Sequence, residues 1–202
     1  MPHQFNLTPT EISTLLAFAS DDDARVNLYG IAFEADGMSE RVYATNGHRA
    51  LVRIQHASET VDRFIVSTAI MRSMATMGGV TVERNEKHAD IRCQELHARL
   101  PLAYQPPPIA GILEPTESWA KSTPWIGLNV ALLDDLVSLA GLGRGWALTM
   151  PPSRADPIRL DLDDVGAYWI AIVMPMRMLE IPELLPEHHR AQAIAERMER
   201  DG

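Results

Sequence analysis

Apolar and polar positions along this 202-residue chain repeat one arrangement three times. The first copy reads Phe5-Asn6-Leu7-Thr8-Pro9-Thr10-Glu11-Ile12 and continues to Leu15 and Leu16. The second reads Phe64-Ile65-Val66-Ser67-Thr68-Ala69-Ile70-Met71 and continues to Met74 and Met77. The third reads Ile126-Gly127-Leu128-Asn129-Val130-Ala131-Leu132-Leu133 and continues to Leu136 and Leu139. Each opens with two apolar residues spaced by two, the pattern of a short strand with one buried face. Thr8, Ser67 and Asn129 then stand where a helix N-cap belongs, and apolar residues follow at helical spacing. Pro9 suits the first helical position, and Glu11, three residues after Thr8, completes a capping box. The three caps lie 59 and then 62 positions apart.

Three short apolar runs follow each helix and predict strands. They are 26–33, 41–44 and 50–54 in the first unit, 80–84, 88–93 and 95–100 in the second, and 146–150, 157–162 and 168–174 in the third. Asp36-Gly37 and Asn46-Gly47 supply hairpin turns. The unit is strand–helix–three strands. Repetition at this period implies similar units packed together. The fold class is α+β, with antiparallel sheets and short helices on one face. Residues 105–123, with Pro106, Pro107, Pro108 and Pro115, read as a linker. Residues 179–202 form a tail, and 186–200 within it has a narrow helical face of Ala193, Ile194 and Met198.

Composition narrows the classes. With 46% apolar residues the chain has enough material for a sizeable core. Cys93 is the sole cysteine, so no intrachain disulfide forms, which fits a reducing cytoplasm. The start, Met1 to Asn6, lacks the basic and apolar runs of a signal peptide. No apolar run is long enough to span a membrane. No nucleophile–base set, phosphate loop or paired-carboxylate motif stands out, so no catalytic residues and no cofactor are assigned. His188 and His189 are adjacent, point apart on a helix and have no partner cluster, so no metal is assigned. Asp21-Asp22-Asp23 reads as a solvated loop.

Two segments carry a family resemblance. Val42-Tyr43-Ala44-Thr45-Asn46-Gly47-His48-Arg49-Ala50 resembles the Ala-Thr-Asp-Gly-His-Arg-Leu hairpin of the bacterial sliding clamp, the beta subunit of DNA polymerase III, with Asn46 in place of Asp. Ile172-Val173-Met174-Pro175-Met176-Arg177-Met178 resembles that family's C-terminal Val-Met-Pro-Met-Arg-Leu. Leu28-Tyr29-Gly30-Ile31-Ala32-Phe33-Glu34 and Gly127-Leu128-Asn129 are similar to further family segments. Residues 5–115 resemble the middle clamp domain, two units; 124–178 resemble half of the last domain; 179–202 have no counterpart. The resemblance implies a shortened DNA-clamp fold with sheets outside and helices inside. A family chain has six units and two chains close a ring of twelve. Four chains of three units supply the same number, which implies a homotetramer.

The resemblance also implies a function and a site. A clamp is no enzyme: it encircles double-stranded DNA without reading its sequence, is opened by a clamp loader, and holds linear peptides of polymerases and repair proteins. The net charge of −9 argues against a fold that grips phosphates but not against a ring that encloses them. Carried over by position, one wall of the peptide pocket is Leu28, Thr45, Gly47, His48, Arg49 and Ala50. The other is Asn129, Leu132, Ala155, Pro157, Ile172, Met174, Pro175, Met176, Arg177 and Met178. Methionines adapt to varied apolar ligands. Ala50 replaces a family leucine and Leu132 a tyrosine. Taken singly, each of these residues fits a core role as well. Arg25, Arg72 and Arg144 lie in or beside the helices, as DNA-facing or ordinary solvated arginines. Asp134 and Asp135 on the third helix oppose a strongly basic lining. The alternative function is a decoy that sequesters clamp-binding peptides without binding DNA.

Overall fold

The computed structural model describes residues 3–94, 96–113, 147–149, 157–164 and 167–174. The first unit consists of β1 (Gln4–Leu7), α1 (Pro9–Leu16), β2 (Gly30–Asp36), β3 (Ser39–Thr45) and β4 (Arg49–His56). The second consists of β5 (Thr60–Ser67), α2 (Thr68–Ala75), β6 (Val80–Arg84), β7 (His88–Cys93) and β8 (Leu96–Pro101). After α3 (Ala110–Leu113) come three strands of the third unit, β9 (Ala147–Thr149), β10 (Ile158–Asp164) and β11 (Ala167–Val173). The strand and helix expected at 126–139 lie outside the described residues, as does the tail at 179–202.

The two complete units exchange their first strands. β1 joins β6-β7-β8 to make a four-stranded sheet, and β5 joins β2-β3-β4. Neither of these two units therefore closes its sheet without the other. β4 continues the second sheet into β11, β10 and β9, giving seven strands in the order β5-β2-β3-β4-β11-β10-β9. All pairings are antiparallel.

Local chemistry explains the elements. Thr8 Oγ1 accepts from the Glu11 N–H at 3.2 Å, and Glu11 Oε2 accepts from the Thr8 N–H at 2.7 Å, so the capping box forms. Ser67 has the extended backbone of an N-cap but makes no side-chain cap bond; Ile70 stands where a capping box needs an acid. Gly30 lets β2 approach β5 closely, because a Cβ there would sit 2.2 Å from the Val66 carbonyl oxygen. α1 and α2 pack against each other, and Ile12, Leu15, Met71 and Met74 reach the main core beneath both sheets. Phe5, Phe33 and Phe64 meet there with centroids 5.1 to 6.0 Å apart. Such aromatic packing adds to the area it buries.

One side chain in this core is charged. Arg53 is almost wholly buried and donates to Asn6 O at 2.8 Å, Glu11 Oε1 at 2.9 Å and Glu40 Oε1 at 2.6 Å. It thereby ties β1 and the start of α1 to the β3–β4 hairpin. Burial pushes the Glu11 carboxyl upward, but the Thr8 N–H and the Arg53 guanidinium outweigh it and hold the group below its ordinary range.

Two expectations are corrected. The run 26–33 is not one strand: Leu28 N and Tyr29 N donate to Arg25 O, so a turn holds this stretch and β2 starts at Gly30. The proline-rich run is not a free linker across 105–113. Pro106, Ile109 and Leu113 are buried, and Tyr43 Oη donates to Pro107 O at 2.8 Å. Arg159 on β10 donates to Leu113 O. This strap crosses the outer face of the seven-stranded sheet and builds a second core with Ala32, Tyr43, Ala50, Val52, Ile170 and Ile172.

Candidate functional site

The β3–β4 hairpin is held by its own side chains. Asn46 Oδ1 accepts from His48 N at 3.0 Å and Arg49 N at 3.1 Å. Thr45 Oγ1 donates to Arg49 O at 2.7 Å and accepts from Gly47 N at 3.1 Å. Gly47 has φ +90°, and a Cβ there would meet the Arg25 guanidinium at 2.8 Å. Only glycine fits that turn without strain. β11 runs antiparallel to β4 from Tyr168 opposite Ile54 to Val173 opposite Arg49. Met174 N then donates to His48 O at 2.8 Å and fixes the end of β11 to the hairpin tip.

A cavity of about 330 Å³ lies at this junction. It is lined by Asn27, Leu28, Thr45, Gly47, Arg49, Ala50, Pro107, Pro108, Ile109, Ile172 and Met174. Met174 is 39% exposed at the rim, whereas Leu28, Ala50, Ile109 and Ile172 are buried. The lining is mostly aliphatic, with Asn27 and Thr45 as polar side chains. A space of this size and lining suits small apolar groups.

Seven residues carried over from the sequence line this cavity: Leu28, Thr45, Gly47, Arg49, Ala50, Ile172 and Met174. His48 stands exposed at the hairpin tip. Pro157 is half-buried just before β10 and is not among the lining residues. Asn129, Leu132, Ala155, Pro175, Met176, Arg177 and Met178 lie outside the described residues. Sequence reasoning missed Asn27, Pro107, Pro108 and Ile109. Apolar Ile109, Ile112 and Leu113 just beyond the prolines were a signal that the segment packs onto something.

Arg49 serves two faces. Its Nη2 donates to Ala17 O at 2.7 Å and its guanidinium lies 4.9 Å from the Phe18 ring centroid. The charged end is thus on the helix side of the sheet, opposite Ala50, as strand alternation requires. There it lines a groove of about 540 Å³ with Ser13, Leu16, Ala17, Asp21, Arg72, Ala75 and Thr76. Arg72 is exposed on α2 in this groove. Arg25 instead donates to Asn46 O at 2.9 Å and braces the hairpin. Arg144 lies outside the described residues.

Tyr43 anchors the strap through its bond to the Pro107 carbonyl, and Pro107 in turn lines the cavity. Burial, followed by the nearby Glu34 carboxylate, drives its hydroxyl well above the ordinary tyrosine range, so it remains a donor. Among the described residues no group of three or more His, Cys, Asp or Glu is placed to hold a metal. Among them, too, no helix is long and apolar enough to cross a membrane.

No protein-family model matches this chain, and no curated protein matches it. Solved structures do. The DNA polymerase III beta subunit of Thermotoga maritima aligns with TM-score 0.64 and 13% identity, over 88% of this chain and 67% of that one. A putative DNA polymerase III beta subunit from Eubacterium rectale gives TM-score 0.66 at 14% identity, over 87% and 66%. The DNA polymerase sliding clamp of Pseudomonas aeruginosa, solved with a ligand, gives 0.62 at 16% identity, over 87% and 66%. The chain has the sliding-clamp fold in a shortened form, and it spans about two thirds of the length of those proteins.

Proposed function

We propose that this chain is a non-catalytic clamp that encircles double-stranded DNA and tethers polymerases and repair proteins by their linear peptide motifs. The observation that carries the reading is the apolar cavity at the β4–β11 junction, which gathers the hairpin, the end of β11 and the strap on a clamp-fold scaffold. A peptide with a glutamine followed by leucine and phenylalanine suits it. The aliphatic lining takes the apolar side chains, while Asn27 in the lining and His48 at the hairpin tip face the polar ones. Burial contributes about 1.5–3 kcal/mol for each apolar side chain. Ordering the peptide offsets part of that, leaving a Kd on the order of micromolar. Fluorescence titration tests this. Wild type binds in that range, and Met174→Ala or His48→Ala weakens binding severalfold with unchanged unfolding behaviour. Absence of binding at high micromolar concentration refutes the cavity assignment.

On the same reading four chains close one ring in the cytoplasm, and a loader opens it. The groove beside α1 and α2 faces the DNA, with Arg72 and Arg49 making transient phosphate contacts. Such contacts weaken with salt. The net charge of −9, and Asp21 within that groove, favour a second reading in which the protein sequesters clamp-binding peptides and leaves DNA alone. Retention assays separate the two. A ring stays on closed circular DNA and leaves once the circle is cut, whereas a decoy is retained on neither.

A further inference from the structure

β8 is the end of the four-stranded sheet, paired with β7 and, among the described residues, with nothing on its other side. Its position in the repeat gives that edge meaning. β4, β8 and β11 are each the last strand of a unit, and β4 and β11 already pair antiparallel with one another. The side chains of β8 that face the core show what is missing. Leu51 on β4 is completely buried because β11 flanks it. On β8, Leu96 is 43% exposed, and Ala98 and Leu100 are half-buried. Met77 is exposed as well, in the turn after α2 that packs against Gln94 at the start of the β8 hairpin.

We infer that β8 is a self-pairing edge, which joins antiparallel to β8 of a second copy across a two-fold axis. The inference deepens the ring reading by assigning one of the junctions a ring of four chains needs. Hydrogen-bond parity supports it. Leu102 N donates to Lys87 O, so even-numbered residues of this strand bond toward β7. His97 and Arg99 therefore direct their backbone groups outward. Leu96 holds the place in its hairpin that Arg49 holds in the first unit and Ala167 in the third. Transferring the β4·β11 register, in which Arg49 faces Val173, puts Leu96 opposite Leu102 of the second copy and Ala98 opposite Leu100. The half-covered apolar row then meets an identical row. Arg99 falls on the axis, opposite itself.

Two features of β8 oppose pairing in general, and this register accommodates both. Arg99 would face a like charge, but each guanidinium is already held by its own Asp90, at 2.8 and 3.3 Å, and remains 62% exposed to solvent. Pro101 has no N–H, yet its carbonyl is the partner this register gives to His97 N–H. Why a second copy rather than another protein follows from the match of the strand with itself. Identical patches closed about a two-fold axis are the usual form of soluble homo-oligomers.

The register makes the test specific. In a hydrogen-bonded antiparallel pair the Cα atoms lie about 5.5 Å apart, inside the range a disulfide spans. Arg99→Cys in the full chain should oxidise to a covalent dimer on a non-reducing gel, while the exposed control Glu59→Cys should not. His97→Pro removes an outward N–H without touching a bond to β7. It should halve the particle mass measured by light scattering and leave peptide affinity unchanged. If Arg99→Cys cross-links no better than the control, or His97→Pro leaves the mass intact, β8 is not the junction, even where a tetrameric mass upholds the ring. A wild-type monomer across micromolar concentrations overturns both inferences. A covalent dimer from a protein that is only dimeric upholds β8 and overturns the ring.

Discussion

β4 and β8 are the same strand of a repeated unit in two different settings. On the outer face of β4 stand Ala50, Val52 and Ile54, and the strap of residues 106–113 covers them together with Tyr43. On the outer face of β8 stand His97 and Arg99, gathered on Asp90 of β7 with His88 and Asn85. One outer face is apolar, covered by the strap and continued by β11 at its edge; the other is charged and open. The difference teaches where an apolar cavity arises in this fold. A bare strand edge offers only backbone, whereas an edge sealed by a second unit and roofed by a strap leaves an apolar gap between three pieces of chain.

The largest contrast is at the inner face. Arg53 on β4 corresponds to Leu100 on β8, yet Arg53 is buried and Leu100 is half-exposed. Arg53→Met leaves Glu40 and Glu11 without their cation in a closed site. Breaking a buried pair in this way costs about 3–5 kcal/mol, measurable as a lower urea midpoint. Next comes the apolar row. Leu51→Ala should cost about 2–4 kcal/mol, whereas Leu100→Ala in dilute, dissociated protein should cost about 1 kcal/mol because part of its surface is already wet. Equal losses at the two positions would erase the distinction between sealed and open edges.

These residues also show how far the sequence alone reaches. The alternation in 80–84 and 88–93 marks β6 and β7 to the residue, because each strand has one face in the main core. Thr8 and Glu11 announce α1 by a bond pattern that is wholly local. Residues 26–29 read as strand by their apolar content, but a hydrogen-bonded turn to Arg25 prevails there. The strap was hidden because prolines report only a backbone that cannot join a ladder. What such a backbone lies against is a tertiary fact. The side-chain direction of Arg49 was open to reading: strand alternation puts it opposite Ala50, although position-by-position transfer put both on one wall.

Smaller effects sharpen the comparison on the outer faces. Tyr43→Phe removes the bond to Pro107 O and should cost about 1 kcal/mol. Its further signature is faster proteolysis within the strap and weaker peptide binding, with no change at β8. On the open side, the Arg99 guanidinium foremost, opposed by burial and aided by His97, holds Asp90 well below the usual carboxylate range. A depressed carboxyl stabilises the fold above its unfolded value near 3.9 and loses that contribution as the pH falls further. Because Arg99 is so exposed, solvent screens the pair, and Asp90→Asn should cost under about 1 kcal/mol. The gap between wild type and variant should stay constant above about pH 5 and shrink below about pH 4. A gap that grows on acidification contradicts the assignment.

Hydrogen exchange with and without a clamp-binding peptide tests the central claim most directly, because it reads the two strands in one experiment. Slower exchange is expected at His48–Ala50, at Ile172–Met174 and along the strap at 109–113 beyond its prolines, with β8 unchanged. Protection that appears at β8, or none at the β4–β11 junction while the peptide is bound, contradicts it.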